Sequence, residues 1–225
     1  MDLNEAMQEL EALGSEQTRK TWCRHGAAEP VFGVKFGDLG KLQKRIKTDH
    51  ALSKALWKTG NHDARLLACM VADPSKATEQ ELKTWAAEVK DSSTAEALAN
   101  LASRTPQAAK IREAWLAHPK LQRAGWSMVG HGLAATGAKD AATLDEAAAL
   151  GYLRRIETDI HQAENWTRRT MMYVVIGIGG RNATLRKAAE AAVRRIGPVA
   201  FDPGKTACEF PDPLPYIEKM WARKK

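Results

Sequence analysis

The chain is poor in cysteine: Cys23, Cys69 and Cys208 are the only three. They are widely separated, form no CxxC pair and have no zinc-finger spacing. An odd, scattered set reads as reduced thiols of a cytoplasmic protein, two of them in helix cores. No apolar run approaches the ~20 residues of a membrane span. The stretch from Met1 to Gly14 is acidic and amphipathic, unlike a signal peptide. No long alternating strand pattern occurs. The six histidines, His25, His50, His62, His118, His131 and His161, include no HxxxH pair, and neither a GxSxG elbow nor a phosphate-binding loop is present. Gly177-x-Gly179-Gly180 is no dinucleotide fingerprint, because no strand precedes it and no acidic partner follows at the right distance. Metal-dependent, cofactor-dependent and nucleophile-based chemistries therefore find no support, and no metal or cofactor is expected.

Composition is that of an ordinary globular protein, 44% hydrophobic and 27% charged. The formal net charge is +7, with a pI near 9.4. A basic balance suits an anionic partner, and it equally suits a plain solvated surface. Phenylalanine and tyrosine number only four and three, whereas tryptophan numbers seven. Tryptophan packs cores and also stacks on bases, so both roles stay open.

The strongest positive signal is apolar residues at helical spacing: Leu39/Leu42/Ile46, Leu82/Trp85/Val89 and Leu150/Leu153/Ile156/Ile160. The punctuation between them is equally regular. A first helix is predicted from about Leu3 to Leu13, broken at Gly14, and a second from Glu16 to His25. Gly26 to Gly37 reads as a loop. A basic helix is predicted to start near Asp38, which can cap it, with Lys41, Lys44, Arg45 and Lys47 on its polar side. Ala51 to Lys58 is the next helix, ended by Thr59-Gly60. Asn61 caps a helix that runs to Val71, ahead of Asp73-Pro74. Thr78 and Glu81 form a capping-box signature for the helix carrying Trp85, and Thr143 with Glu146 forms a second. Ser92 or Ser93 is the predicted cap of a helix through Glu96 and Leu101. Pro106 and Pro119 sit where they can open helices. A helix from Asn165 to Gly177 is closed by the Gly177/Gly179/Gly180 cluster. Asn182 caps a last helix ending at Gly197-Pro198.

Roughly twelve helices of about eight to eighteen residues, joined by short links, predict an all-α protein. The architecture expected is a solenoid of HEAT-like helical repeats, an α-α superhelix; a closed bundle is the alternative. The repeat domain is expected over residues 1–198. Residues 199–225, rich in proline, read as an extended, irregular C-terminal tail with a small helix near Tyr216 to Trp221.

Particular segments then carry a resemblance. Gly33-Val34-Lys35-Phe36-Gly37-Asp38-Leu39-Gly40-Lys41-Leu42, followed by Ala55-Leu56-Trp57-Lys58-Thr59-Gly60-Asn61-His62-Asp63-Ala64-Arg65-Leu66-Leu67-Ala68, resembles the AlkD-like DNA alkylation repair family. So do Arg123-Ala124-Gly125-Trp126 and Ile178-Gly179-Gly180-Arg181-Asn182. The likeness runs from about residue 30 to 200, and Lys205-Thr206-Ala207 with Pro213, Tyr216 and Ile217 resembles an extension found in one branch of the family. The resemblance implies HEAT-like repeats with a concave basic face that binds double-stranded DNA. In active members it implies a metal-independent, cofactor-free glycosylase that removes cationic N3- and N7-alkylpurines. There, two tryptophans and an aspartate stabilise the sugar as it becomes an oxocarbenium ion.

Mapped onto this chain, Ser92 stands where the first tryptophan would be and Glu96 where the aspartate would be. The second tryptophan falls at Met172 or Tyr173. The resemblance therefore makes Glu96 and Tyr173 the catalytic candidates. Lys35, Lys41, Arg65, Arg123, Arg168, Arg169 and Arg181 are the candidate DNA contacts, with Arg123 matching a phosphate-binding arginine of the family. Each has a plainer alternative. Glu96 suits the first turn of any helix through its dipole. Trp57 and Arg65 can pack across a turn, Trp85 and Trp126 read as core, and Lys41 shares a solvated face. The expected partner is duplex DNA, alkylated or intact, bound by a monomer. The rival is a non-catalytic repeat protein that binds DNA structures or a protein.

Overall fold

The computed structural model describes residues 1–134 and 144–223, and among these there are thirteen helices and no strand. They divide into two compact units, Met1–Ile111 and Arg112–Lys225. The first unit contains α1 (Leu3–Leu13), α2 (Glu16–Arg24), α3 (Phe36–Ile46), α4 (His50–Lys58), α5 (His62–Val71), α6 (Glu79–Glu88) and α7 (Ser92–Ser103). Helix α8 (Ala108–Ala117) spans the boundary. The second unit contains α9 (Gln122–Ala134), α10 (Glu146–Asp159), α11 (Asn165–Gly179), α12 (Ala183–Ile196) and α13 (Pro213–Ala222).

Helix α5 is the axis of the first unit. Asn61 starts it, its side chain accepting from the Ala64 N–H at 3.0 Å, as its sequence position predicts. Only Arg65 and Met70 of its ten residues escape full burial, so it is apolar nearly all round and has neighbours on several sides. Helices α1, α3, α4 and α7 pack against it. One of its buried residues is a carboxylate. Asp63, with 0% exposure, accepts from the backbone N–H groups of Phe32 at 2.7 Å, Gly33 at 3.1 Å and Val34 at 2.8 Å. Those bonds fasten the loop before α3 onto the α5 N-terminus. The loop then meets the start of α2, where Ser15 N–H donates to Gly33 O at 3.0 Å. Gly33 has φ +84°, and a Cβ there would lie 2.4 Å from both Ser15 O and Arg19 N, so only glycine fits.

Helix α11 plays the same part in the second unit. Helices α9, α10, α12 and α13 pack on it, and Met171, Val174, Val175 and Ile178 enter a core with Trp126, Leu153, Ile156 and Leu185. Trp85 and Trp126 are core residues at 5% and 2% exposure. After α12 the chain runs without helix from 197 to 212, then forms α13. Gly179 and Gly180, read from sequence as a helix stop, do end α11. They also seat α13: a Cβ on Gly179 would lie 2.6 Å from Ile217 Cδ1, and one on Gly180 2.2 Å from Met220 Cε. Trp221 Nε1–H donates to Gly179 O at 2.9 Å.

Several predicted caps are corrected. Helix α3 starts at Phe36, two residues before Asp38, whose carboxylate pairs with Lys41 instead of capping. Asp91, not Ser92 or Ser93, caps α7, because its carboxylate reaches both the Ser93 and Thr94 N–H groups. Asp145 caps α10 through the Ala148 N–H; Thr143 lies outside the described residues. Thr78 caps α6, but the Glu81 side chain turns to His50 and Lys54. Of the cysteines, Cys69 is buried in α5, while Cys23 on α2 and Cys208 after α12 are partly exposed.

Asp63→Ala strands three donors that the loop cannot otherwise satisfy. Each buried unsatisfied donor costs about 1–3 kcal/mol, so urea denaturation should show a loss of about 3 kcal/mol or more. A loss under about 1 kcal/mol would mean that the loop is held by other contacts.

Candidate nucleic-acid interface

In the first unit the end of α4 and the start of α5 build a rigid corner. Trp57 and Trp85 stack face to face, ring centroids 4.3 Å apart and 2° from parallel. The Arg65 guanidinium lies 4.9 Å from the Trp57 ring. Glu88 then ties the two together, accepting from Arg65 Nη2 at 2.5 Å and from Trp57 Nε1 at 3.0 Å. Arg65 thus stabilises the turn through charge and cation–π attraction, the packing alternative raised for it from sequence.

Beside this corner is a cavity of about 250 Å³, lined by Glu29, Pro30, His62, Arg65, Lys90, Asp91 and Thr94 among others. His62 Nδ1 stands 3.4 Å from both Asp91 Oδ2 and Thr94 Oγ1. Asp91 Oδ1 accepts the Ser93 and Thr94 N–H groups at 2.9 and 3.0 Å. Burial pushes the Asp91 carboxyl upward, but the His62 hydrogen bond and charge and the Thr94 amide outweigh it and hold the group down at about 2. Sequence reading missed this pair, since 28 intervening residues separate His62 from Asp91. The only local signal was an acid directly before a Ser-Ser-Thr helix start.

The other first-unit candidates are dispersed. Lys35 is exposed at the α3 N-terminus, where it makes no side-chain cap bond. Lys41 is exposed on α3, 2.8 Å from Asp38. Glu96 is an exposed residue in the N-terminal half of α7, and Ser92 opens that helix.

In the second unit the candidates converge. Trp166, Arg169 and Tyr173 follow one another at i, i+3 and i+7 on α11, which puts them on one face. Arg169 lies 6.0 Å from the Trp166 ring and 4.9 Å from the Tyr173 ring. Its Nη2 donates to Tyr173 Oη at 3.1 Å and its Nε to Glu209 O at 2.9 Å. Arg123 of α9 adds a second guanidinium, 5.3 Å from Trp166. Trp166 also meets Phe201 edge to face at 5.1 Å. The result is a strip of alternating cations and aromatic rings. Met172, the alternative to Tyr173, is buried at 2% exposure.

Arg168 and Arg181 are engaged differently. Arg168 donates to three carbonyls, Ala163 O at 2.8 Å, Ala200 O at 3.0 Å and His161 O at 3.2 Å. It so joins the end of α10 to the segment after α12. Arg181 Nη1 donates to Leu144 O at 2.5 Å. Neither role is visible in sequence, because a guanidinium that serves a distant carbonyl has no local pattern.

Known proteins bear on this arrangement. Residues 6–173 match the family model described as DNA alkylation repair enzyme, and the chain belongs to that family. It is 28% identical over 219 residues to an uncharacterized protein of Listeria innocua, covering 94% of this chain and 93% of the relative. A second uncharacterized protein, from Listeria monocytogenes, is 28% identical over 225 residues, with 96% of each chain covered. A solved structure superposes with a TM-score of 0.90 at 27% identity, over 100% of this chain and 95% of its own. That structure represents a family related to the HEAT-like repeat DNA glycosylases with affinity for branched DNA. The all-α, HEAT-like fold and the family inferred from the residues are those found. No described helix is long and apolar enough to cross a membrane.

Asp91→Asn keeps the cap geometry but removes the charge. A carboxyl moved from 3.8 down to about 2 contributes about 2 kcal/mol of stability. With the folded value the lower one, the contribution is complete above about pH 4 and disappears as pH falls toward 2. Thermal or urea unfolding should show the variant less stable by that amount at pH 5 and the difference vanishing as pH falls toward 2. A gap that persists unchanged at pH 2 would refute the ionic role.

Proposed function

We propose that this protein binds duplex DNA, branched duplexes included, and that the cation–aromatic strip of α11 is central to the contact. The observation that carries the reading is that strip, Arg123, Trp166, Arg169 and Tyr173 in sequence. Guanidinium groups suit phosphates, and aromatic faces suit bases. The family membership and the branched-DNA affinity of the structural relative support it. Lys35 and Lys41 join Arg123 and Arg169 as phosphate contacts. Arg65, Arg168 and Arg181 act mainly by holding the turns and helix ends that carry the others. The protein acts as a cytoplasmic monomer, with residues 1–198 as the repeat domain and residues 199–225 as its tail.

A second reading is catalytic: release of a cationic N3- or N7-alkylpurine by hydrolysis of the N-glycosidic bond. It is favoured by the exposed carboxylate of Glu96 at the position that the family resemblance gives to the aspartate. As the bond to the base breaks, positive charge develops on the deoxyribose. Glu96 would stabilise that charge through its carboxylate; the Tyr173 ring, the other candidate that the resemblance gives, would do so through its face. Against it, Arg169 already lies over the Tyr173 ring at 4.9 Å, and a second cation there would meet repulsion. Binding is therefore the stronger reading.

Affinity for a plain duplex should fall linearly in log–log form with salt, and Arg123→Ala should reduce the slope by about 0.9. An unchanged slope would remove Arg123 from the contact, and wild-type affinity without salt dependence would refute phosphate recognition. For catalysis, a duplex with one N7-methylguanine is the probe. If Glu96 serves it, Glu96→Gln abolishes base release while leaving affinity within about twofold; release at the wild-type rate in the variant would exclude Glu96.

A further inference from the structure

We infer that Tyr216, on the C-terminal helix α13, joins Tyr173 to form a stacking platform for the unpaired or unstacked bases at a DNA branch. The inference rests on the DNA-binding reading above and gives it a source of structural selectivity. Only residues 6–173 match the family model, so α13 lies beyond the part of the chain that defines the family.

Among the described residues, five large hydrophobic side chains are exposed: Met1, Leu13, Phe36, Tyr173 and Tyr216. The two tyrosines meet, at 39% and 46% exposure, with ring centroids 6.5 Å apart and planes at 82°. Edge-to-face rings present differently oriented surfaces to solvent. Such a pair is a stacking surface when something covers it. The borders of this pair indicate what does. Arg169 sits over Tyr173, and the exposed Lys219 follows Tyr216 by one helical turn. Cations beside stacking faces match a phosphate backbone with open bases, and they suit an apolar protein surface poorly.

The platform is also held in position. Ile217, next to Tyr216, has 0% exposure, and a Cβ on Gly179 would collide with its side chain. Trp221 bonds Gly179 O at 2.9 Å, and Arg169 bonds Glu209 O at 2.9 Å. Tyr216 therefore projects from a docked helix instead of a loose tail, and little ordering is needed when a base stacks on it. An intact duplex hides its base faces within the stack. A branch point exposes them, so the platform distinguishes the two while the phosphate contacts do not.

The test compares a three-way junction carrying two unpaired nucleotides at the branch with a blunt linear duplex of equal length, by fluorescence anisotropy at fixed salt. For Tyr216→Ala, junction affinity should drop about 10-fold, within the range for loss of one base stack, with duplex affinity unchanged within about twofold. Tyr216→Phe should retain wild-type affinity for both, since the ring is kept. A 2-aminopurine at the branch should be quenched by wild type and by Tyr216→Phe, and clearly less by Tyr216→Ala, which keeps only the Tyr173 ring. Equal losses on junction and duplex would overturn the inference, as would wild-type affinity of Tyr216→Ala for the junction. A wild-type protein that binds neither DNA would instead overturn the DNA-binding reading on which the inference stands.

Discussion

Helices of nine to fifteen residues, the range found here, are marginal on their own in water, because nucleation costs more than so short a ladder returns. Most of the described helices consequently lean on a neighbour that is buried on several sides. In the first unit that neighbour is α5, and in the second it is α11. Several of the candidate functional residues are arranged around these two. The Trp57–Arg65–Glu88 corner and the His62–Asp91 pair sit at the start of α5. The cation–aromatic strip runs along the one face of α11 that the core leaves uncovered. A central helix must be mostly apolar to fill its role, so its few polar positions are restricted to its first turn and to a narrow outer stripe. Those are the positions where Asp63, Arg65, Arg169 and Tyr173 are found.

Features that act over three or four residues were legible in the sequence. Asn61 and Asn182 cap the helices that follow them, and Gly197 stops α12 with a positive φ of 67°. Trp85 and Trp126 could be recognised as core from their apolar stripes. Caps were misjudged where two candidates stood side by side. Asp91 next to Ser92 and Ser93, and Asp145 near Thr143, all have a suitable oxygen. Which one caps depends on where the backbone turns, and that is decided by tertiary packing. Contacts that act over thirty or forty residues left no trace at all. The three amides that Asp63 serves, the Ala200 carbonyl that Arg168 serves and the meeting of Tyr173 with Tyr216 belong to this group.

The basic character of the chain also changes meaning once the fold is known. From sequence, Arg65, Arg168, Arg169 and Arg181 are equivalent cations. In the structure they differ in how many of their donors the protein itself occupies. Arg168 reaches three carbonyls, whereas Arg169 gives one donor to a carbonyl and one to a phenol oxygen and lays its plane near two rings. Carbonyl-bound guanidinium groups still carry their full charge and add to the field that attracts a polyanion. They contribute less to its local geometry.

The segment after α12 is fastened to α11 by the Phe201–Trp166 ring contact and through its own main chain. Ala200, Asp202 and Glu209 each offer a backbone carbonyl, to Arg168, Asn165 and Arg169 respectively. Any amino acid supplies that carbonyl. The burden of recognition thus falls on three residues of the helix, although the Asp202 carboxylate also accepts the Gly204 N–H at 2.8 Å and so holds the local turn. An evolving lineage could remodel the chemistry of this outer segment while its path over α11 stayed the same.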